Sequence, residues 1–507
     1  MIFSKREKIS FYFISALLYF LAWIIQSQML IKGDVSWQMH LARSVLNGGN
    51  YIKDFFEINP PLSIFLYMPE IFIEKILFVS HIIGLRIYMF LCATGSLLIC
   101  YVLIKKLFVQ YDTKIAFIFL LSLIFIDLIL PLNEFGQREN LLVILTMPYF
   151  LLAACRVNKI KINLFFAIFI GLLAALGFGL KPFFLIAFIL VEGYVAFKTN
   201  IKNMFRPENM GIVLFLLLYF FVILLFFTSY LTVVTPVALR FYYQLFSKPI
   251  KICLLLLPVY FCFFTFIFYY IQHKKNAYDA LSSVLALALL GFFIAYLIQR
   301  IPWYYHFLPV FSFTVLLSTF LFSLYARKSN IFLSVAIGLA MFFYPLSFIL
   351  CFSEIMIQQK KELNPIIQFL HIHAFQKPVY YFSAYDVYMV SVLEHAGCAS
   401  FPSRLQFLAW MRRGIDQNMK KDNNFFINML SQDLNHYKPV LILVDQMRYE
   451  KNNHVIAQIN YLSILNKNKQ FRLAWKHYHY FKEMKKNGLY DFALYRRYPC
   501  AHLSASV

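Results

Sequence analysis

Charge is scarce in this 507-residue chain: Asp, Glu, Lys and Arg make up 14% of it, where soluble domains carry about a quarter. That shortage excludes a single soluble enzyme and a disordered protein, both of which need a charged exterior. Acidic residues are scarcest, 24 against 47 Lys plus Arg, for a formal net charge of +23. Cysteine is also sparse, eight in all, and Cys92, Cys100, Cys155, Cys253, Cys262 and Cys351 lie in or at the end of apolar runs, where the thiol behaves as a small apolar group. A disulfide-built secreted module is therefore excluded, and no Cys and His spacing resembles a zinc site. The chain shows no internal repeat, no low-complexity tract and no cleavage signal after its first apolar run, Ile9 to Ile31, which is too long for a signal-peptide core.

What is present is hydrophobicity: 61% of residues, with 59 Phe and 34 Tyr. This composition is that of an integral membrane protein. Runs long enough to cross hydrocarbon lie at about 9–31, 82–104, 115–131, 141–155, 163–180, 182–198, 210–232, 252–272, 279–298, 304–325 and 331–351, eleven in number. Basic clusters mark alternate connections: Lys5, Arg6 and Lys8; Lys105, Lys106 and Lys114; Arg156, Lys159 and Lys161; Lys198, Lys202 and Arg206; Lys274 and Lys275; Arg327 and Lys328. The positive-inside bias places these in the cytoplasm, so the excess charge reports topology before it reports nucleic acid, and eleven spans export everything after Ser353.

The other connections mix acids, bases, amides and aromatics. They are the loop from Lys32 to about His81, the turns Asn133 to Asn140 and Gly177 to Pro182, the segment Thr235 to Lys251, and Gln299 to His306. Polar groups gathered at one membrane face mark a site. From about Glu354 the composition becomes soluble. Lys377–Phe382 and Lys438–Val444 read as buried strands, Phe492–Tyr498 as an edge or final strand, and 386–395 and 403–430 as helical. The expected organisation is a polytopic α-helical membrane domain, 1–353, whose first exported loop is 32–81, followed by an extracytoplasmic α/β domain, 354–507. That domain carries 20 Lys plus Arg against 11 Asp plus Glu after Cys351, a balance suited to anionic headgroups or polysaccharide. Cys398 and Cys500 both fall in it, and a disulfide between them is one option in an oxidising compartment.

The first exported loop is the richest segment. Trp37, Leu41 and Val45 recur every four residues, which predicts a surface helix after Asp34, ended by Gly48-Gly49. Asp34 then caps the helix, or serves as a general base in a half-desolvated cleft, with Asp54 and Glu57 as further candidate carboxylates. Arg138, Lys181, Arg300 and His306 are the cations on the same predicted face, suited to an anionic leaving group. Each of three has a structural alternative: Arg138 pairing with Glu134 or Glu139, Lys181 snorkelling to the interface, His306 serving as an interfacial aromatic beside Trp303. Pro60-Pro61 is a rigid turn without chemistry. The three carboxylates include the oxygen ligands a hard divalent cation would need, but with cations already present for a phosphate no metal and no cofactor is expected.

This constellation, with the order of spans, resembles the GT-C class of membrane glycosyltransferases, and most of all the bacterial relatives of the protein O-mannosyltransferase and aminoarabinose (lipid A) transferase group. The matching features are Asp34 just after the first span, the helix that follows, Gly49-Asn50-Tyr51-Ile52-Lys53-Asp54, and Pro60-Pro61. The likeness covers the architecture of most of the first 350 residues, but in local motif only this loop. Some relatives carry Asp-Glu where this chain has Asp34-Val35, which leaves open a helping role for Asp54 or Glu57.

The resemblance implies transfer of a sugar from a polyprenyl-phosphate carrier to a glycan, lipid or protein acceptor of the cell envelope. It places the reaction on the exported face of a bacterial inner membrane, with inversion and Asp34 as base. The partners it implies are the lipid-linked donor, the envelope acceptor and membrane lipids, with no nucleic acid. Two other classes compete: a transporter or flippase of a lipid-linked sugar, and a non-catalytic envelope-assembly subunit. Transporters often show paired halves and broken helices at the midplane, neither of which the sequence suggests.

Overall fold

The computed structural model describes residues 5–110, 113–275, 280–326, 331–384, 388–398, 403–406, 408, 411, 420–447, 449–451, 454–456, 459–486 and 490–498. It divides into two compact units. The first comprises Met1–Ile31, Asn59–Phe226 and Phe246–Ile357; the second comprises Lys32–Ile58, Phe227–Leu245 and Gln358–Val507. These units cut the chain differently from a single boundary near residue 353, because the front of the first loop and a short stretch near residue 236 group with the C-terminal residues.

The first unit is helical, as it must be where no water is present to satisfy backbone amides. Among the described residues, six helices are long and apolar enough to cross a membrane: Lys5–Gln28, His81–Leu107, Arg138–Val157, Pro207–Phe226, Ala280–Gln299 and Tyr304–Tyr325. Thr113–Leu128, Leu164–Phe178, Leu185–Lys198, Leu257–Lys275 and Ile331–Ala374 take up the remaining predicted runs. Every predicted run thus falls on a helix, although Thr113–Leu128, Leu164–Phe178 and Leu185–Lys198 have only 16, 15 and 14 residues. The run expected to reach residue 232 stops at Phe226; a π-turn, Tyr230–Val234, then leads into Thr235–Phe246, whose Pro236 lacks the amide a continuous helix would need.

Arg138–Val157 is buried along nearly its whole length and forms the centre of this unit. Pro207–Phe226 instead exposes Leu214, Leu217, Leu218 and Leu225, a face suited to lipid tails. Where helices cross most closely a glycine is required: a Cβ on Gly171 would lie 2.3 Å from the Glu208 carbonyl, and one on Gly291 2.3 Å from Ala187 Cα.

The second unit is α/β. A four-stranded sheet has the order β1-β2-β6-β5, formed by β1 Val379–Phe382, β2 Leu441–Asp445, β5 Tyr478–Lys486 and β6 Tyr490–Arg497; β3 Tyr449–Lys451 and β4 His454–Ile456 make a separate ribbon. β1 and β2 run parallel, Val379 opposite Leu441, and so need a crossover, within which lie the helices Met389–His395 and Lys420–Tyr437. Both strands are buried throughout, which is why they read as continuous apolar runs.

Three sequence expectations change here. Of the two readings of Phe492–Tyr498 the final strand holds and the edge does not: β6 is interior, paired antiparallel to β2 and to β5. The edge strand is β5, whose lysine-rich sequence gave no strand signal. Of the helix expected over 403–430, only Lys420–Tyr437 forms among the described residues, and Ser403–Gln406 is irregular.

Candidate active site

In the first unit, polar side chains from four segments meet at the N-terminal end of Arg138–Val157. The chain reaches that end through a short 3-10 turn, Leu132–Glu134, with Leu132 at φ 52° and Gly136 at φ 85°. Side chains tie the turn down: the Gly136 amide donates to Asn140 Oδ1 (3.2 Å), Asn140 Nδ2 to the Asp127 carbonyl (3.1 Å), Tyr304 Oη to the Leu130 carbonyl (2.7 Å), and Tyr67 Oη to the Gly136 carbonyl. Glu139, wholly buried, is the hub. It accepts from Lys181 Nζ, and His306 Nδ1 lies 3.6 Å from the same oxygen. Lys181 also donates to Gln299 Oε1 at 3.4 Å, and its ammonium sits 5.6 Å from the centre of the Tyr305 ring.

Arg138, Glu134, Asn133 and Gln137 are buried around the same turn. Glu139 Oε2, Asn133 Oδ1, Gln137 Nε2 and both ring nitrogens of His306 are buried without a hydrogen bond in the structure. Lys181, one of the predicted cations, is therefore an ion-pair partner rather than a snorkelling side chain, and His306 faces a carboxylate rather than an interface. Arg300 stands apart: it is exposed, at φ 54°, and its carbonyl accepts the Lys248 amide at 2.8 Å.

In the second unit the three predicted carboxylates have three different environments. Asp34 is the second residue of the helix Gly33–Leu46; the capping position belongs to Lys32, which offers no side-chain cap, so the N-cap reading of Asp34 fails. Its Oδ1 accepts from Gln406 Nε2 at 3.0 Å. Asp54 closes a turn: its Oδ2 accepts the Asn50 amide (2.8 Å) while its own amide donates to the Asn50 carbonyl (2.9 Å). Glu57 is buried and accepts from Trp37 Nε1 at 2.7 Å. Asp54 and Glu57 are thus engaged in holding the loop together, whereas half-buried Asp34 meets a neutral side chain from a distant segment.

The helix Gly33–Leu46 ends as expected at Asn47, with Gly48 at φ 84°. It is not a surface helix with one wet face, since every residue from Val35 to Ala42 is buried, partly by packing against Met389–His395. Arg43 pairs with Glu394 across that contact at 2.8 Å. His40 stacks on Trp37, and burial, with Arg43 nearby, lowers its pKa from 6.5 to about 3. Burial likewise raises the Cys398 thiol to about 12, helped by Glu394; Cys500, its suggested disulfide partner, lies outside the described residues.

Sequence reasoning missed the central role of Glu139, the reach of Gln299 to Lys181, and Gln406. Glu139 and Gln299 each adjoin a residue that was singled out, so proximity at a helix end was a usable signal. Gln406 is 372 residues from Asp34 and gave none. Among the described residues, no group of three or more His, Cys, Asp or Glu is arranged to hold a metal ion.

No protein-family model matches this chain, and no curated protein matches it in sequence. Among solved structures it is similar to ArnT from Cupriavidus metallidurans, crystallised bound to undecaprenyl phosphate, with a TM-score of 0.58 over 97% of this chain and 98% of that one at 8% sequence identity. The chain therefore shares the fold of that structure, a polytopic helical bundle with a C-terminal domain, as the order of its spans led one to expect.

Proposed function

We propose that this protein is an inverting glycosyltransferase that moves a sugar from a polyprenyl-phosphate carrier to an acceptor in the cell envelope. The observation that carries this reading is the fold held in common with ArnT over nearly the full length of both chains, since the ArnT structure contains a polyprenyl phosphate. Arg138, Lys181 and His306 take the donor phosphate: a guanidinium and an ammonium gathered at the start of a buried helix suit an anion. Arg300, being exposed, serves at most as a peripheral cation for the same phosphate.

Asp34 takes the proton from the acceptor hydroxyl. As that oxygen bonds to the anomeric carbon, the bond from carbon to phosphate oxygen breaks on the opposite face, and its electron pair leaves with the lipid phosphate. Asp54 and Glu57 keep the loop in shape. The reaction takes place outside the cytoplasm, at the inner membrane of a bacterium, with the C-terminal domain exported. A reporter active only outside the cytoplasm, fused after Val507, is expected to be active.

The deciding experiment is Asp34→Asn. An amide at this position keeps the size of the side chain but is no useful base, so the variant is expected to fold and to bind undecaprenyl phosphate. Transfer should fall by about a hundredfold to ten-thousandfold. Normal transfer by this variant would overturn the assignment.

A further inference from the structure

We infer that Gln406 is a positioning residue for Asp34, so that the C-terminal part of the chain takes part in proton abstraction; this rests on the reading of Asp34 as the base. The amide Nε2 of Gln406 donates to Asp34 Oδ1 at 3.0 Å, and both side chains are half-buried. A carboxylate pinned at one oxygen by a donor presents its other oxygen in a fixed direction.

The segment that carries Gln406 is irregular but firmly held. Arg404 donates through Nε to Asp433 Oδ1 (2.7 Å), through its amide to Asp433 Oδ2 (2.9 Å) and through Nη2 to the Met429 carbonyl (3.0 Å). Through Nη1 it reaches the Ile52 carbonyl (3.1 Å), and its own carbonyl accepts the Phe56 amide (2.8 Å). The backbone of Gln406 is fixed in turn, because Tyr381 Oη of β1 donates to its carbonyl at 2.8 Å. One short segment thus grips the first loop at Ile52 and Phe56 and aims an amide at Asp34 of the same loop. Such anchoring gives a side chain one orientation without any direct contact to the reacting atoms.

The test uses the full-length protein in lipid nanodiscs. Transfer is read as label moved from a radiolabelled polyprenyl-lipid extract to envelope material, and binding is read separately with undecaprenyl phosphate. Gln406→Met keeps the length and loses the donor; it is expected to leave undecaprenyl phosphate affinity within about twofold and to lower transfer by about tenfold to a hundredfold. Gln406→Glu is the second variant, should Met impair folding, and is expected to lower transfer likewise. In an Asp34→Glu background, where the carboxylate is displaced, Gln406→Met should lower transfer by less than about threefold, whereas a purely structural role would repeat its full effect. Full transfer by both Gln406 variants, with Asp34→Asn inactive, overturns this inference and leaves the base assignment standing. Full transfer by Asp34→Asn removes the base assignment itself, and Gln406 with it.

Discussion

Lys181 and Glu139 form an ion pair whose acid is wholly buried, with His306 facing the same carboxylate oxygen. Removing one member of such a pair leaves the other charge without a partner in a medium that cannot solvate it, at about 3–5 kcal/mol. Lys181→Ala is therefore expected to lower the melting temperature in detergent as well as the affinity for undecaprenyl phosphate. Lys181→Met combined with Glu139→Gln should recover most of the stability and none of the affinity. Recovery of both would show that Lys181 holds Glu139 and no phosphate.

Asp54 and Glu57 are predicted to tolerate amides. The side-chain carbonyl of Asp54→Asn can still accept from the Asn50 amide, and that of Glu57→Gln can still accept from the Trp37 indole. Transfer by both variants should stay within about threefold of the parent protein, far from the loss expected on removing a general base. Glu57→Ala, which strands a buried indole N–H, should cost about 1–3 kcal/mol in stability. A hundredfold loss of transfer in either amide variant would move the base away from Asp34.

His40 sets an acid limit on the second unit. Its folded pKa, about 3, lies below the 6.5 of an unfolded chain, so between these values the unfolded state binds the extra proton. The neutral ring is compatible with full stability above pH 6.5, and stability is lost as the pH falls from there towards 3. The loss is on the order of a few kcal/mol across that window. Thermal melts at about pH 7 and about pH 4.5 should show a steep drop for the parent protein and a shallower one for His40→Gln. Parallel drops would show that other groups govern acid unfolding.

At the other end of the central helix a second ionic cluster is predicted to matter for stability alone. Arg206 donates to both oxygens of Glu192 (2.6 and 2.7 Å), Asn209 Nδ2 to Glu192 (2.6 Å), Tyr149 Oη to Glu192, and Arg156 to both oxygens of Glu208 (2.9 and 3.0 Å). Glu192→Ala takes from the buried Arg206 one of its two acids, Glu208 remaining at 3.0 Å from Nε, and takes an acceptor from the Asn209 amide, so it should destabilise by about 1–3 kcal/mol. Undecaprenyl phosphate affinity of the variant that remains folded should be unchanged. A change in stability below about 0.5 kcal/mol would show the cluster to be solvated in practice.

The membrane class and the positions of the helices were legible because both follow from one local quantity, a long run without charge. The convergence of Glu139, Lys181 and His306 was partly legible, since alternate connections between spans return to the same membrane face. β5 was not legible: a solvent-facing edge strand carrying Lys482, Lys485 and Lys486 is patterned to discourage pairing with another chain, and so looks like a loop. Asp34 could be read as a cap as well as a base, because an acid at the start of a helix is often an N-cap. Its actual place, two residues after Lys32, depends on packing that a single sequence does not contain. The bonds from Trp37 to Glu57 and from Gln406 to Asp34 are tertiary facts with no periodic signature.

Arg138–Val157 is staked at both ends. Near one end Glu139 is bound to Lys181, and near the other Arg156 is bound to Glu208, 17 residues further on, or roughly 26 Å along the axis. Alternating access requires bundles of helices to rock or slide against one another about a central site. Here a slide of even one turn would pull apart, at the same moment, two ion pairs whose acids, Glu139 and Glu208, are buried. A helix held in this way is a fixed ruler rather than a piston: it keeps the Lys181 and Glu208 ends of the first unit at a set separation.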